Sequence, residues 1–365
     1  MRALTFMQKT ILCLLPILAS AAVAQTVFGP VTITGFADAY YSYEFGDSST
    51  RDRQVTPSGV TPVYSHSRNN EFNINNAFID AKYAADNVRA GLGLQAGTYV
   101  DANYAAETQS MRHLYEAVAG FKLAEGLWVD AGIFASHIGL ESAVSKDNWT
   151  LTRSLVADNT PYFETGAKFT YDPNPKWTFA LLVLNGWQNI RDNNSNKAVG
   201  TQIQYKPTAT LLFNSSTFFG EARNAPDDDK RMRYFHNFFF TDQIISKFSI
   251  GGQFDVGFEE KSSTDSSLNN WYSGMVMARY QFTDRYAASA RIEYYHDADG
   301  ITIATGTADN FVARGGSVGF DYAPAKNLLW RIELRTLHAD HAIFVHSDGL
   351  KKDSTYATTS IAVSF

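Results

Sequence analysis

Eight histidines and one cysteine are the residues of this chain best suited to metal or nucleophilic chemistry. The closest histidine group is His338, His341 and His346, with Asp340 and Asp348 alongside. Imidazoles and carboxylates in that density suit a weak metal site, but the stretch is polar throughout and reads as a solvated loop. The DNNSN run at 192–196 and the DDD run at 227–229 offer oxygen ligands for loosely held calcium without EF-hand spacing; they too read as solvated loops. A Ser–His–Asp triad is assembled in space, so sequence alone does not dismiss one. No motif marks it, however, and GFADAYY near the start holds no nucleophile-elbow serine. With Cys13 the only cysteine, thiolate metal sites and disulfides have no material. The expectation is no enzyme activity, no metal and no cofactor.

A second set of charges is more informative, because it recurs at every other position. In 286–294, Arg291 and Glu293 share a face with Ala287 and Ser289, while Tyr286, Ala288, Ala290, Ile292 and Tyr294 lie opposite. In 328–337, Arg331, Glu333 and Arg335 oppose Trp330, Ile332 and Leu334. Residues 77–83 and 88–96 repeat the pattern with Asp80 and Lys82, then Arg89, on the polar face. Unpaired buried charge costs several kcal/mol, so these faces do not suit a dry core. The facing stripes carry no charge and suit lipid. Arg89, Arg112, Arg231, Arg233, Arg279, Arg291, Arg331 and Arg335 are candidates for a basic arc on the inner wall. Asp80, Glu116, Asp130, Glu293 and Glu333 are candidates for an acidic arc across from it. Together they would set up a transverse field that orients dipolar solutes.

The elements that carry these charges are strands. Sixteen alternating stretches of about 10–15 residues are found, the length of tilted membrane-spanning strands. They are 31–45, 71–84, 88–100, 111–123, 127–136, 162–172, 176–188 and 197–206, then 208–220, 231–240, 247–259, 271–282, 285–296, 312–322, 328–338 and 356–365. Short turns such as DPNP at 172–175 take turns with long polar stretches such as 46–70, 101–110, 189–196, 260–270 and 339–355. That rhythm predicts an all-β fold: a transmembrane antiparallel up-and-down barrel of sixteen strands, with short periplasmic turns and long extracellular loops. Tyr40, Tyr41, Tyr43, Tyr99, Tyr162, Phe163, Phe238, Phe239, Phe240, Tyr294 and Tyr295 cluster near strand ends, as interfacial girdles do.

The ends of the chain agree with export. Arg2 and Lys9 precede a short apolar run and the small residues Ala22 and Ala24, so residues 1–24 read as a cleaved signal peptide. Residues 25–365 then form one barrel domain, with 29 basic residues (the 31 of the chain less Arg2 and Lys9) against 37 acidic, a net charge of −8. That balance argues against nucleic acid as a partner. Mean hydropathy is −0.22, and no apolar run after the leader is long enough for a spanning helix. The final YATTSIAVSF alternates to its last residue. Phe365 is expected to lie at the periplasmic rim, as a signal read by the outer-membrane assembly machinery.

One connection stands apart. Residues 137–161 (HIGLESAVSKDNWTLTRSLVADNTP) mix packing residues with Glu141, Lys146, Asp147, Arg153 and Asp158. TLTRSLVAD reads as a short helix capped by Thr150. A loop of this length with structure of its own is usually functional. It either folds inward as a constriction, stands outward on the surface, or grips a ligand.

Several segments carry a family resemblance. They are ITGFADAYYSYEF after a leader ending AVAQ, the N-x-F-x-I-N-N segment at 70–76 before AFIDAKY, GIFASHIGLE, and NWTLTRSL before PYFETGAKFTY. Over 28–365 the chain resembles the porin-like β-barrel family of outer-membrane proteins common in Bacteroidota. The resemblance implies a Gram-negative outer-membrane location and passive diffusion of small hydrophilic solutes or ions. It places 132–164 at the constriction, with Arg153 ahead of Ser154 and Leu155. Alternative readings are a substrate-specific channel and a non-conducting structural or adhesive barrel. Expected partners are outer-membrane lipids and lipopolysaccharide, the solutes, and the assembly machinery. A homotrimer, by analogy with other sixteen-stranded porins, and a monomer both remain open.

Overall fold

The computed structural model describes residues 26–365 apart from 47–49, 57, 193, 195 and 222–229. The expected leader 1–24 and the 227–229 acidic run lie outside the described residues. Sixteen long strands follow one another: β1 Val31–Glu44, β2 Glu71–Ala84, β3 Val88–Ala96, β4 Leu114–Ala124, β5 Leu127–Ala135 and β6 Phe163–Asn174. They continue with β7 Trp177–Leu184, β8 Ala198–Tyr205, β9 Leu211–Glu221, β10 Met232–Ile245 and β11 Phe248–Ser262. The last five are β12 Asp265–Thr283, β13 Tyr286–Asp297, β14 Phe311–Ala325, β15 Leu328–Ala339 and β16 Asp353–Ser364. Each pairs antiparallel with its neighbours in chain order, and β16 closes the ring on β1, with Tyr356 opposite Glu44 and Ser364 opposite Phe36. Closure leaves the ring no free edge, so the backbone groups of the ring pair within it, which is what a bilayer demands.

Period-two alternation decides which face meets lipid. On β13, Ile292 is 67% exposed while its flanking Arg291 and Glu293 are 2% and 4%. Leu92, Leu181, Phe254, Val318 and Ile361 continue the exposed apolar band around the outside. At the seam, Phe365 exchanges both backbone hydrogen bonds with Gly35, at 2.7 and 3.0 Å. Its ring lies where a Cβ on Gly35 would stand, so that glycine is covered from outside. Below the end of β16, Thr26–Phe28 takes over as the partner of β1.

The structure departs from the sequence expectation in four places. The strand expected over 88–100 stops at Ala96, because Gly97 adopts φ +136 with its Cβ position against the Asn75 carbonyl. The chain then forms two short helices, α1 Thr98–Asn103 and α2 Gln109–Arg112, and the next strand begins only at Leu114. The expected loop 260–270 is a tight turn, since β11 and β12 extend past the barrel rim as a hairpin. Residues Phe344–His346 and Gly349–Lys351 form a small hairpin inside a connection read as polar loop. Several aromatics expected in the girdles, namely Tyr40, Tyr99, Phe163, Phe239 and Tyr295, are instead buried, whereas Tyr43, Phe238 and Tyr294 are exposed.

That inward turn has a consequence for the lumen. Phe218, Phe235, Trp271, Phe311 and Leu337 on the wall pack with Val55, Val63, Ile303, Ile343 and Phe344 from the long connections. The long-loop half of the barrel therefore contains a dry cluster, not water alone. Apolar inward positions are stable there because loops cover them.

Candidate functional site: the lumen wall and the loop folded against it

Residues 136–162 leave β5, run across the inside of the barrel and return at β6. Their helical turn is α3, Leu155–Asp158, and its cap is Ser154, whose Oγ accepts from Ala157 N at 3.0 Å. The cap was expected at Thr150; that hydroxyl instead receives Arg291 at 2.6 Å. Most of this loop has no ladder partner, so its peptide groups need other donors and acceptors.

The wall of β12–β15 supplies them. Arg331 donates to the carbonyls of Ser145 (2.7 Å), Asn148 (3.1 Å) and Trp149 (2.9 Å). Arg291 donates to the Thr152 carbonyl at 2.6 Å, and Arg335 to the Arg153 carbonyl at 2.8 Å. Arg279 reaches the Trp149 carbonyl at 3.2 Å. The acids of the same wall take the loop's N–H groups: Glu333 accepts from Thr152 at 2.7 Å and Glu293 from Leu155 at 2.6 Å. Between wall residues, Arg335 pairs with Glu293 at 2.7 Å and Arg331 with Asp321 at 2.8 Å. Side chains of Arg291, Arg331 and Arg335 are 0–1% exposed. These guanidiniums divide their donors between the loop's carbonyls and the wall's own carboxylates.

The loop also holds itself. Arg153 pairs with Asp158 at 3.1 Å, and its guanidinium lies 4.2 Å from the centre of the Tyr99 ring and 4.3 Å from that of Tyr162. Burial works against the Arg153 charge, but Tyr162 and Asp158 outweigh it and hold the group above the usual arginine range. Glu141 accepts from Ser154 N at 2.9 Å and faces Arg291 at 3.4 Å. Burial pushes the Glu141 carboxyl up, with Arg291 opposing. Burial likewise raises Asp147, opposed by Lys146 at 3.4 Å. Lys146 and Asp147 keep about a quarter of their side-chain surface exposed, at 25% and 22%.

The β2–β6 wall is arranged differently. Lys82 stands 3.5 Å from Asp80 and 3.4 Å from Glu116, and its side chain is 56% exposed. Arg89 forks onto Asp130, with its Nε at 2.6 Å, and lies 4.4 Å over the Trp128 ring. The Glu116 carboxylate occupies the space a Cβ on Gly91 would fill, and Asp130 does the same over Gly120. Opposite Asp130 on the next strand, Lys168 lies 4.5 Å from the centre of the Phe134 ring.

The remaining sequence candidates are dispersed. Arg112 belongs to α2 and not to a wall strand; it caps the carbonyls of Glu107 (2.9 Å) and Ala105 (2.6 Å). Arg233 pairs with Glu259 at 2.6 Å between the rings of Trp187 and Trp271. Arg231 is half-buried just before β10. His338, His341 and His346 face three separate carboxylates, Asp353, Asp309 and Glu44. No group of three or more metal-ligating side chains is found among the described residues.

Sequence reasoning missed Asp38. Its Oδ2 accepts from Ser145 Oγ at 2.6 Å, faces His66 Nε2 at 2.9 Å and receives Asn75 at 3.3 Å. Serine and histidine approach the same oxygen, so this is a structural node joining two loops to β1, not a nucleophile relay. Asp321 was missed as the acid shared by Arg279 and Arg331. Its inward register beside Arg331 on the neighbouring strand was the available signal.

The barrel as a whole has counterparts among solved structures. The whole barrel resembles an anion-selective porin from Comamonas acidovorans, with TM-score 0.59 and 10% identity over 92% of this chain and 99% of that one. It also resembles the outer-membrane channel DcaP of Acinetobacter baumannii, with TM-score 0.60 and 11% identity over 92% and 97%. OmpF of Salmonella typhi in complex with daunomycin gives TM-score 0.58 and 13% identity over 94% and 100%. No curated protein sequence matches the chain. The family described as "Putative beta-barrel porin-2, OmpL-like" matches residues 30–365. The chain belongs to that family, as a sixteen-stranded, porin-like barrel of the outer membrane.

Proposed function

We propose that this porin is a passive diffusion channel for small hydrophilic solutes or ions, narrowed by residues 137–161. One observation carries the reading: the loop is bound to one arc of the wall, while Lys82 and Arg89 on the other arc keep their water. Sieving is then steric and electrostatic, with wall groups replacing part of a solute's hydration at the narrow level. Glu141, Arg153 and Asp158 keep the loop in shape, and Lys146 and Asp147 are the loop charges a passing solute meets. The partners are outer-membrane lipids and lipopolysaccharide around the exposed apolar band, and the assembly machinery at Phe365. The motif likeness points to a Bacteroidota source. A homotrimer has the analogy of other sixteen-stranded porins; the closed ring itself demands no partner.

Single-channel conductance in planar bilayers tests the reading. The intact chain should give discrete steps, and a chain lacking 141–158 should give larger ones. Silence from both would leave the structural or adhesive alternative.

A further inference from the structure

Resting on the channel reading above, one property of the path can be argued from how charge is layered on the β2–β6 wall. Acids and bases are nearly balanced there, yet they are not equally close to water. Asp80, Glu116 and Asp130 have side chains 3%, 15% and 6% exposed, while their partners Lys82 and Arg89 are 56% and 39% exposed. The cause is steric. Gly91 and Gly120 leave shallow beds in the wall into which the Glu116 and Asp130 carboxylates settle. The longer stems of Lys82 and Arg89 reach over them, and Trp128 supports the Arg89 guanidinium from beneath. In these two pairs a solute in the lumen meets the cation first, and at short range the nearer charge outweighs the farther one; at the turn after β4 the order is reversed, with Lys122 24% and Glu125 95% exposed. On the opposite arc, Arg291, Arg331 and Arg335 and their acids are sealed under the loop and present neither sign to the lumen. The loop pair Lys146 and Asp147, about a quarter exposed, is neutral as a unit.

We infer that the lumen prefers small anions to cations, and that Lys82 and Arg89 are the residues that set the preference. The experiment is the reversal potential of the full-length porin across a KCl gradient at neutral pH. Chloride should be about threefold more permeant than potassium in the wild type. The double variant Lys82→Gln, Arg89→Gln should bring the ratio to about one, and Lys82→Glu, Arg89→Glu should invert it. Lys82→Arg should keep the wild-type ratio. Heat-modifiable migration on gels checks that each variant folds; if the glutamate pair does not, the wild type and the glutamine pair still decide. A wild-type ratio at or below one, or a ratio unmoved in the glutamine pair, overturns the inference while leaving the channel intact. Absence of wild-type channels overturns the channel reading and this inference with it.

Discussion

Two arcs of one inner wall carry arginines and carboxylates in the same alternating pattern and put them to opposite uses. On β12–β15, Arg279, Arg291, Arg331 and Arg335 bind peptide carbonyls of the inward loop. On β2–β4, Lys82 and Arg89 lean over carboxylates into open space. The first arrangement fixes a shape and the second presents a charge. What separates them is cover: the loop desolvates most of one arc, and a buried guanidinium must then be satisfied by the loop's own backbone as well as by wall acids. A charged inward face is therefore not by itself a pore-lining face.

The comparison can be broken most severely on the sealed arc. Arg335→Ala strips Glu293 of its 2.7 Å partner and the Arg153 carbonyl of its donor. A loss of about 3–5 kcal/mol is expected in urea titration, as for other buried pairs cut on one side. Conductance should become larger and noisier as the loop loosens. Unchanged stability would show that the arc is not a clamp.

Removing Phe365 comes next. Both of its backbone bonds to Gly35 and the ring over that glycine are lost together. Folded protein recovered from the membrane should fall several-fold, while whatever assembles keeps its wild-type conductance.

The open arc should respond far less. Asp130→Asn weakens the Arg89 pair, but Arg89 is 39% exposed, so water already screens it. The stability change should stay within about 1 kcal/mol, and chloride preference should rise rather than fall. A loss comparable to that of Arg335→Ala would erase the distinction between the arcs.

The smallest effect is on pH. Burial raises Glu141 and Asp147, so the folded loop takes up protons at a higher pH than the unfolded chain does. Their contribution is complete below the ordinary carboxylate range and is lost as pH rises through the raised values. Tryptic cleavage at Lys146 or Arg153 should thus be slower relative to a control site at about pH 5 than at about pH 7.5, after correction for trypsin's own profile. The reverse order would contradict the sign.

Much of the fold was legible in the sequence because a strand writes its two faces directly into alternate residues. The 71–84 strand has the bounds read from it, and β13 turns Arg291 and Glu293 inward and Ile292 outward as its pattern requires. The halt at Gly97 was not legible, since only the neighbouring Asn75 carbonyl makes a left-handed glycine necessary there. Nor was the inward turn of Phe239 or Tyr295. An aromatic near a strand end suits a girdle or a covered core equally, and the loops choose between them. Arg112 looked like a wall residue because MRHLYEAVAGFKL alternates; the helix that claims it depends on carbonyls from its own loop.

By itself, the sequence determined the number of strands, their lipid face, most of the alternation of turns with loops, and a loop with packing residues and charge of its own, long enough to cross the lumen. These are local properties, carried by period and length along the chain. Tertiary structure alone decided which inward charges are spent and which remain free. That outcome depends on where a 27-residue segment, 136–162, lies inside a closed ring. Its burial turns one set of arginines into anchors. On the other side, glycines one strand away let acids sink below bases. No spacing within a single strand encodes either, because both are contacts between segments distant in sequence.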